Sequence, residues 1–141
     1  MKYIITERQY RLMEEREEIL KIPFGAFGDD WNLLQKFLER RGYPPYEIIG
    51  DLDLRGTEIT SLENLTSVGG YLDLRRTPIT SLGNLTSVVG DLDLYGTPIT
   101  SLGNLTSVGG YLSLGATPIT RKYTKEEIRQ MVNVEGSIFK L

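Results

Sequence analysis

Residues 50–109 read GDLDLRGTEITSLENLTSVG, GYLDLRRTPITSLGNLTSVV and GDLDLYGTPITSLGNLTSVG, which are three consecutive copies of one 20-residue repeat. A truncated fourth copy, GYLSLGATPIT, occupies residues 110–120. Self-similarity at a fixed short period is typical of a solenoid, in which each unit stacks on its neighbours. The sequence therefore predicts an α+β repeat protein with a parallel β-sheet. It favours a binding surface over a reaction site.

Each copy repeats the same apolar positions, which in the second copy are Leu72, Leu74, Ile79, Leu82, Leu85 and Val88. The segment Tyr71–Arg75 alternates strictly between polar and apolar residues, which predicts a half-buried strand with its leucines inward. Gly69 and Gly70 are expected to reverse the chain into the next strand through left-handed or tightly bent backbone. A single copy has too few apolar residues to fold alone, so stability is expected to come from stacking.

The run from Leu72 to Ile79, LDLRRTPI, resembles the LxLxxNxL core of leucine-rich repeats, with Thr77 at the Asn position. The short period is similar to that of compact bacterial and phage leucine-rich repeats. The resemblance implies a binding scaffold with a parallel sheet on its concave side, and a bacterial or phage accessory protein. Residues 81–88 are poor in helix formers, so we expect the convex side to be extended or 3₁₀. The alternative fold is a parallel β-helix, with ITSL and LTSV as additional strands.

Stacked threonines at the Asn position could supply the buried hydrogen-bond ladder of such a repeat; they are Thr57, Thr77, Thr97 and Thr117. The three Asn-Leu-Thr triplets at Asn64, Asn84 and Asn104 match a glycosylation pattern. Because they recur with the repeat and no secretion signal accompanies them, we interpret them as polar turn residues.

The N-terminal flank, residues 1–49, is predicted to be a helical cap on the stack. Lys2–Ile5 is β-prone, and the capping-box pattern at Thr6 predicts a helix to about Lys21. Asp29-Asp30 begins a second predicted helix, which Gly42 ends. Its apolar stripe, together with two phenylalanines of the preceding loop, is expected to pack in the core: Phe24, Phe27, Trp31, Leu34, Phe37 and Leu38.

The C-terminal flank, residues 121–141, is predicted to close the other end of the same single domain. Thr124 and Glu127 form a capping-box pattern that opens a helix to about Val132, with Ile128 and Met131 inward. Residues 133–141 are expected to be extended, with a turn at residues 135–136. Unique flanks at both ends are required because a stack of strands otherwise ends in unpaired backbone groups.

Composition excludes several kinds of chemistry. The 141 residues have a formal charge of −3 and contain neither cysteine nor histidine. Disulfides, thiolate nucleophiles, Cys/His zinc sites and histidine acid–base catalysis are therefore excluded. No basic stretch suggests nucleic acid, and no apolar stretch suggests a signal peptide or a membrane span. We expect a non-enzymatic cytoplasmic protein of the producing or host cell, without a cofactor, metal, nucleic-acid ligand or membrane.

The candidate binding residues are the outward positions of the predicted strands, where copies differ while apolar positions do not. Tyrosine and arginine commonly dominate interface energies. The sequence therefore predicts a protein or peptide partner held by the strand face. The alternatives are a structural, self-assembling protein in which the face meets a second copy, and, more distantly, a carboxylate–metal enzyme. The predicted binding residues are Asp51, Asp53, Arg55, Tyr71, Asp73, Arg75, Arg76, Asp91, Asp93, Tyr95 and Tyr111.

The row Asp53, Asp73 and Asp93 is the sharpest local feature of that face. Three carboxylates one strand apart repel each other, and calcium is a cation that would relieve the repulsion. However, Arg55 and Arg75 follow two residues later on the same face. We therefore expect a row neutralised by arginine.

Overall fold

The computed structural model describes residues 19–141, which form two parallel β-sheets, two short α-helices and two 3₁₀ turns. Sheet 1 has the order β1 (Leu20–Pro23), β2 (Tyr46–Ile49), β4 (Leu65–Val68), β6 (Ser87–Val88), β8 (Ser107–Val108) and β10 (Asn133–Val134). Sheet 2 has the order β3 (Leu52–Asp53), β5 (Leu72–Asp73), β7 (Leu92–Asp93), β9 (Leu112–Ser113) and β11 (Ile138–Phe139). The predicted α+β class with parallel strands is confirmed.

Strands of neighbouring copies pair between equivalent residues. Leu72 is in register with Leu52 on one side and Leu92 on the other. Backbone pairing continues beyond β5, because Leu74 N donates to Asp93 O at 2.9 Å. Since register follows the 20-residue period, leucines of successive copies form continuous buried rows.

Each full copy provides one strand to each sheet. The LTSV segment is a strand, as the β-helix alternative expected, whereas the ITSL segment is not. No α-helix interrupts residues 50–120, so the expectation that residues 81–88 are not α-helical is confirmed. Between Leu82 and Leu85 the chain turns at Gly83, which has φ +58° and whose N–H donates to Ser81 Oγ at 2.9 Å.

The glycines at the junctions between copies are needed for space. Gly69 and Gly70 lie in a bend without left-handed backbone, whereas Gly50 at the preceding junction has φ +83°, so the two forms of backbone expected from the sequence both occur. A Cβ at Gly70 would overlap the Asp51 carboxylate and lie 2.8 Å from Gly50 C. Close approach of consecutive copies therefore excludes a side chain here.

The threonines at the Asn position do not form a ladder between copies. Each hydroxyl donates instead to the carbonyl of the leucine three residues earlier, as Thr77 Oγ1 does to Leu74 O at 2.9 Å. Because Thr77 is buried, its hydroxyl needs this local partner. The threonine closes the turn that follows the strand.

The Asn-Leu-Thr triplets supply the contacts between copies that the threonine ladder was expected to supply. Thr86 Oγ1 donates to Thr66 O at 3.0 Å, and Asn84 Nδ2 donates to Asn64 Oδ1 at 2.9 Å. Thr106 Oγ1 repeats the bond one copy later, to Thr86 O. These side chains are therefore more than polar turn residues, because they join each copy to the one before it.

The N-terminal flank is only partly helical. Helix α1 (Trp31–Glu39) begins after Asp30, whose Oδ1 accepts from Asn32 N and Leu33 N, so the second predicted helix is confirmed. Leu20 and Lys21 lie in strand β1, which pairs with β2, so the predicted end of the first helix is wrong. The rest of that helix and Lys2–Ile5 lie outside the described residues. The flank therefore extends sheet 1 by two strands.

The aromatic residues of this flank pack on one another and on the core. Phe24 is buried and contacts Trp31 edge to face, with ring centroids 6.4 Å apart. Phe27 contacts Phe37 in the same manner at 5.2 Å. With Leu34 and Leu38 fully buried beside them, the predicted core role of this stripe is confirmed.

The C-terminal flank follows the prediction except at Met131. Helix α2 (Lys125–Met131) begins with the capping box, in which Glu127 N donates to Thr124 Oγ1 at 3.1 Å. Ile128 is fully buried, but Met131 is 44 % exposed, so its predicted inward placement is wrong. Strands β10 and β11 then add one strand to each sheet.

Tyr46 is a fully buried side chain whose hydroxyl donates to Leu62 O at 2.9 Å. We expect Tyr46→Phe to lower the free energy of unfolding by about 1 kcal/mol, because Leu62 O loses a buried donor and, within residues 19–141, keeps only the bond from Leu65 N. Urea unfolding measures the change. Tyr43→Phe is the control, since among the described residues no hydrogen bond involves the Tyr43 hydroxyl.

The pH dependence of stability tests the same group independently. Burial raises the pKa of Tyr46 above its ordinary value, so the folded state retains a proton that the unfolded state loses above about pH 10. The contribution of Tyr46 to the free energy of unfolding is therefore complete below about pH 10. Above it, this contribution decreases by up to about 1.4 kcal/mol per pH unit. Equal alkaline slopes for the wild type and Tyr46→Phe would contradict this assignment.

Candidate binding face

The outward surface of sheet 2, here called the strand face, is crossed by a row of ion pairs. Arg55 contacts Asp53 through two hydrogen bonds and reaches Asp73 Oδ2 at 3.5 Å. Arg75 contacts Asp73 through Nη2 at 2.7 Å and reaches Asp93 Oδ2 at 3.3 Å. Each arginine thus bridges two neighbouring copies. The predicted neutralisation of the carboxylate row by arginine is confirmed.

Asp73, at the centre of this row, is not an exposed residue as the strand pattern predicted. It is 7 % exposed, because both guanidinium groups cover its carboxylate. Hydrogen bonding to Asp73 raises the pKa of Arg75 above its ordinary value. Asp73 therefore connects copies and has little surface to offer a partner.

The aspartates of the face also hold the backbone. Asp73 Oδ1 accepts a hydrogen bond from Arg75 N at 3.1 Å. Asp53 and Asp93 likewise each accept a hydrogen bond from the backbone N–H of the residue two positions later in the chain. Asp51 Oδ1 accepts from Tyr71 N, and Asp91 accepts from Tyr111 N, each in the following copy. All five predicted aspartates therefore have a structural bond. For three of the five, the sequence signal that could have revealed this bond is an aspartate two residues before a turn.

Two adjoining grooves lie on the strand face. The acidic groove has a volume of about 240 Å³. Four carboxylates and two guanidinium groups line it, so its net charge is two negative charges. Its polar and aromatic lining consists of Asp53, Arg55, Tyr71, Asp73, Arg75, Asp91, Asp93 and Tyr111. The basic groove, of about 540 Å³, has three guanidinium groups and one carboxylate; its lining is Arg55, Gly56, Arg75, Arg76, Asp93, Tyr95 and Ser113. Every predicted binding residue except Asp51 lines one groove or both.

The tyrosines of the acidic groove report its negative potential. Partial burial and then the carboxylates of Asp53 and Asp51 raise the pKa of Tyr71. Partial burial and then Asp93 and Asp91 raise the pKa of Tyr111. Since a negative field disfavours a phenolate, the same field would favour a cation between the two rings.

Arg76 is held in left-handed backbone, with φ +58°. The first and third copies have Gly56 and Gly96 at this position, both with positive φ, and the fourth has Ala116. An L-residue with a side chain costs about 1–2 kcal/mol in this conformation. Arg76 makes no ion pair with any residue in 19–141, while its backbone N–H donates to Tyr95 O at 2.9 Å and so keeps the left-handed turn in place.

The fourth copy departs from the others because the C-terminal tail passes over it. A Cβ at Gly115 would overlap Leu141 O, so glycine is required where its equivalents are Arg55, Arg75 and Tyr95. The ring of Phe139 contacts Tyr111 edge to face, with centroids 5.6 Å apart. Sequence reasoning missed Phe139, because nothing local indicates that the tail continues sheet 2.

Residues 19–141 contain no group of three or more acidic side chains arranged so that it could hold a metal ion. In the same part of the chain, neither helix has the length and hydrophobicity needed to cross a membrane. Comparison with protein-family models, with curated proteins and with solved structures finds no match for this chain.

Proposed function

We propose that this chain is a non-catalytic module that binds a polypeptide partner through the strand face. The supporting observation is that the outward residues that differ between copies line two adjoining grooves of opposite charge. A mixed face of tyrosine, arginine and carboxylate groups suits a charged polypeptide surface better than an apolar ligand. The proposed setting is the cytoplasm of a bacterium or of a phage-infected host.

The proposed architecture is a short leucine-rich-repeat-like solenoid, with the two flanks as caps. The in-register pairing at 20-residue intervals supports it, and so do the two flanking helices, which contribute Leu34, Leu38 and Ile128 to the same core. A second sheet built from the LTSV segments is a feature shared with parallel β-helices. In either form the strand face stays on one side of the stack.

Strain at Arg76 supports a role for this face. Strained backbone is concentrated at functional sites. The equivalent left-handed positions of the other copies hold Gly56, Gly96 and Ala116. Arg76 is therefore the one with a long side chain. The repeat accepts glycine at the same position in two other copies, so the fold does not require the arginine. Its guanidinium group lines the basic groove and is available to a carboxylate of a partner.

The test compares Arg76→Gly with Glu63→Gly. Both residues have left-handed backbone, and both change to the glycine that other copies have. Glycine relieves the backbone strain but loses more conformational entropy on folding. The net effect should be that each variant is more stable by about 0.5–1 kcal/mol in urea unfolding. Immobilised Arg76→Gly should lose proteins that the wild type captures from a lysate, whereas Glu63→Gly should keep them.

This pair of variants separates binding from folding. Glu63 lies in the turn before β4, away from both grooves of the strand face. Identical captured proteins for wild type and Arg76→Gly would contradict the proposed face. If the wild type instead sediments as a dimer that Arg76→Gly dissociates, the partner is a second copy of the chain.

A further inference from the structure

One column of the strand face alternates aspartate and tyrosine: Asp51, Tyr71, Asp91 and Tyr111 lie immediately before successive strands of sheet 2. Neighbouring parallel strands are about 4.8 Å apart. Tyr71 and Tyr111 are therefore separated by about 10 Å at the backbone, with Asp91 between them. Asp51 lies at the edge of sheet 2 and has a tyrosine on one side among the described strands. Thus Asp91 is flanked by two rings.

The residues of this column are held in place. Asp91 Oδ1 accepts from Tyr111 N at 2.8 Å, which orients the carboxylate. The ring of Tyr111 packs against Phe139, and Tyr71 N is bound by Asp51. Within residues 19–141 no hydrogen bond or ion pair engages Asp91 Oδ2. A second carboxylate oxygen therefore remains for a ligand.

Two aromatic rings that flank a carboxylate form a site for an organic cation. A guanidinium or ammonium group is attracted to the face of a tyrosine ring within about 6 Å of its centroid. Tyr71, Asp91 and Tyr111 line the same groove, so a cation bound there could contact both rings and the carboxylate. Arg55 and Arg75, the cations that line this groove, are already engaged by Asp53, Asp73 and Asp93.

We propose that Tyr71, Asp91 and Tyr111 form a cage for a lysine or arginine side chain of the partner polypeptide. This inference rests on the proposed function, because it specifies the chemistry of one contact on the same face. The net negative charge of the acidic groove complements such a side chain. The basic groove, about four residues further along the strands, would then face an acidic group of the same partner.

The test is an NMR titration of the full chain with N-acetylarginine methylamide, N-acetyllysine methylamide and the neutral isostere N-acetylcitrulline methylamide. The cationic probes should shift the backbone amide signals of Tyr71, Asp91 and Tyr111 along saturable curves. Signals of Arg76 and Tyr95, in the basic groove, should be unaffected. The citrulline probe should bind about tenfold more weakly or not measurably.

Three variants make the result specific. Asp91→Asn keeps an oxygen for Tyr111 N but removes the charge, and Tyr71→Leu removes one ring; each should weaken binding of the cationic probes about five- to tenfold. Tyr43→Leu, which removes an exposed ring outside both grooves, should leave binding of the cationic probes unchanged. Absence of saturable shifts, equal binding of citrulline, or equal affinity of Asp91→Asn and wild type would each overturn the cage.

Failure of the cage and failure of the proposed function give different results. If the probes fail but Arg76→Gly loses the captured proteins that Glu63→Gly keeps, the face binds a partner by another contact. If the probes bind as expected but Arg76→Gly captures the same proteins as the wild type, the cage exists and the wider face is wrong. The preferred probe, arginine or lysine, then identifies the cationic side chain.

Discussion

Gly70→Ala is expected to lower the free energy of unfolding by about 2–3 kcal/mol, although it adds one methyl group at the surface of a turn. The added Cβ would overlap the Asp51 carboxylate and lie 2.8 Å from Gly50 C and 2.9 Å from Asp51 N. The carboxylate could rotate away, but it would then release Tyr71 N. The backbone contacts would remain, so consecutive copies must separate. Urea unfolding measures the loss.

Gly25→Ala is the matched control for this substitution. Gly25 has no heavy atom within 4 Å of the position of an added Cβ, and its φ is not positive. Its change should be within about 0.5 kcal/mol. The double variant Asp51→Ala/Gly70→Ala separates the two sources of the clash. If the double variant is as stable as Asp51→Ala alone, the backbone contacts do not contribute and the account of close copy stacking is wrong.

Asp73→Ala is expected to cost about 2 kcal/mol, more than is usual for a charged residue on an outward strand position. Its carboxylate is nearly buried and accepts from the side chain and the backbone N–H of Arg75, while Arg55 approaches from the preceding copy. Removal leaves two guanidinium groups beside each other with no carboxylate between them. Repulsion would then add to the lost bonds.

Asp53→Ala provides the comparison within the same row. Its side chain is 37 % exposed and pairs with Arg55 alone, so the loss should be about 0.5 kcal/mol, as for surface ion pairs. High salt should reduce the Asp53 effect more than the Asp73 effect, because buried pairs are screened less. Equal losses for the two variants, measured by urea unfolding, would contradict the central role assigned to Asp73.

Much of the fold could be predicted from the repeat, because neighbouring copies pair with the same strand register each time. Leu72 must face Leu52 and Leu92 once the copies are aligned, and the same alignment places Tyr71, Asp91 and Tyr111 in one column. Helix starts were also predictable, because a capping box such as that of Thr124 and Glu127 acts within one turn.

Errors occurred where a residue's partner is distant in sequence. Leu20 and Lys21 continue a helix-like pattern, but pairing with Tyr46 and Glu47 makes them a strand. Asp73 occupies an outward strand position, but arginines of two copies cover it. Met131 follows the helical stripe and is nevertheless exposed, because no element within residues 19–141 covers it on that side of a seven-residue helix.

The sequence by itself determined the period, the buried rows, the parallel pairing and the outward columns of this protein, because all of these follow from one repeated pattern of apolar residues. Only the tertiary structure decided how those columns are used. It showed that the aspartates of the face bind backbone or arginine, and that four of them also line the two grooves with the tyrosines and Arg76. It also revealed that the tail reaches Tyr111 through Phe139. Hydrogen bonds and ring contacts depend on distances between copies, which a pattern along one chain does not specify.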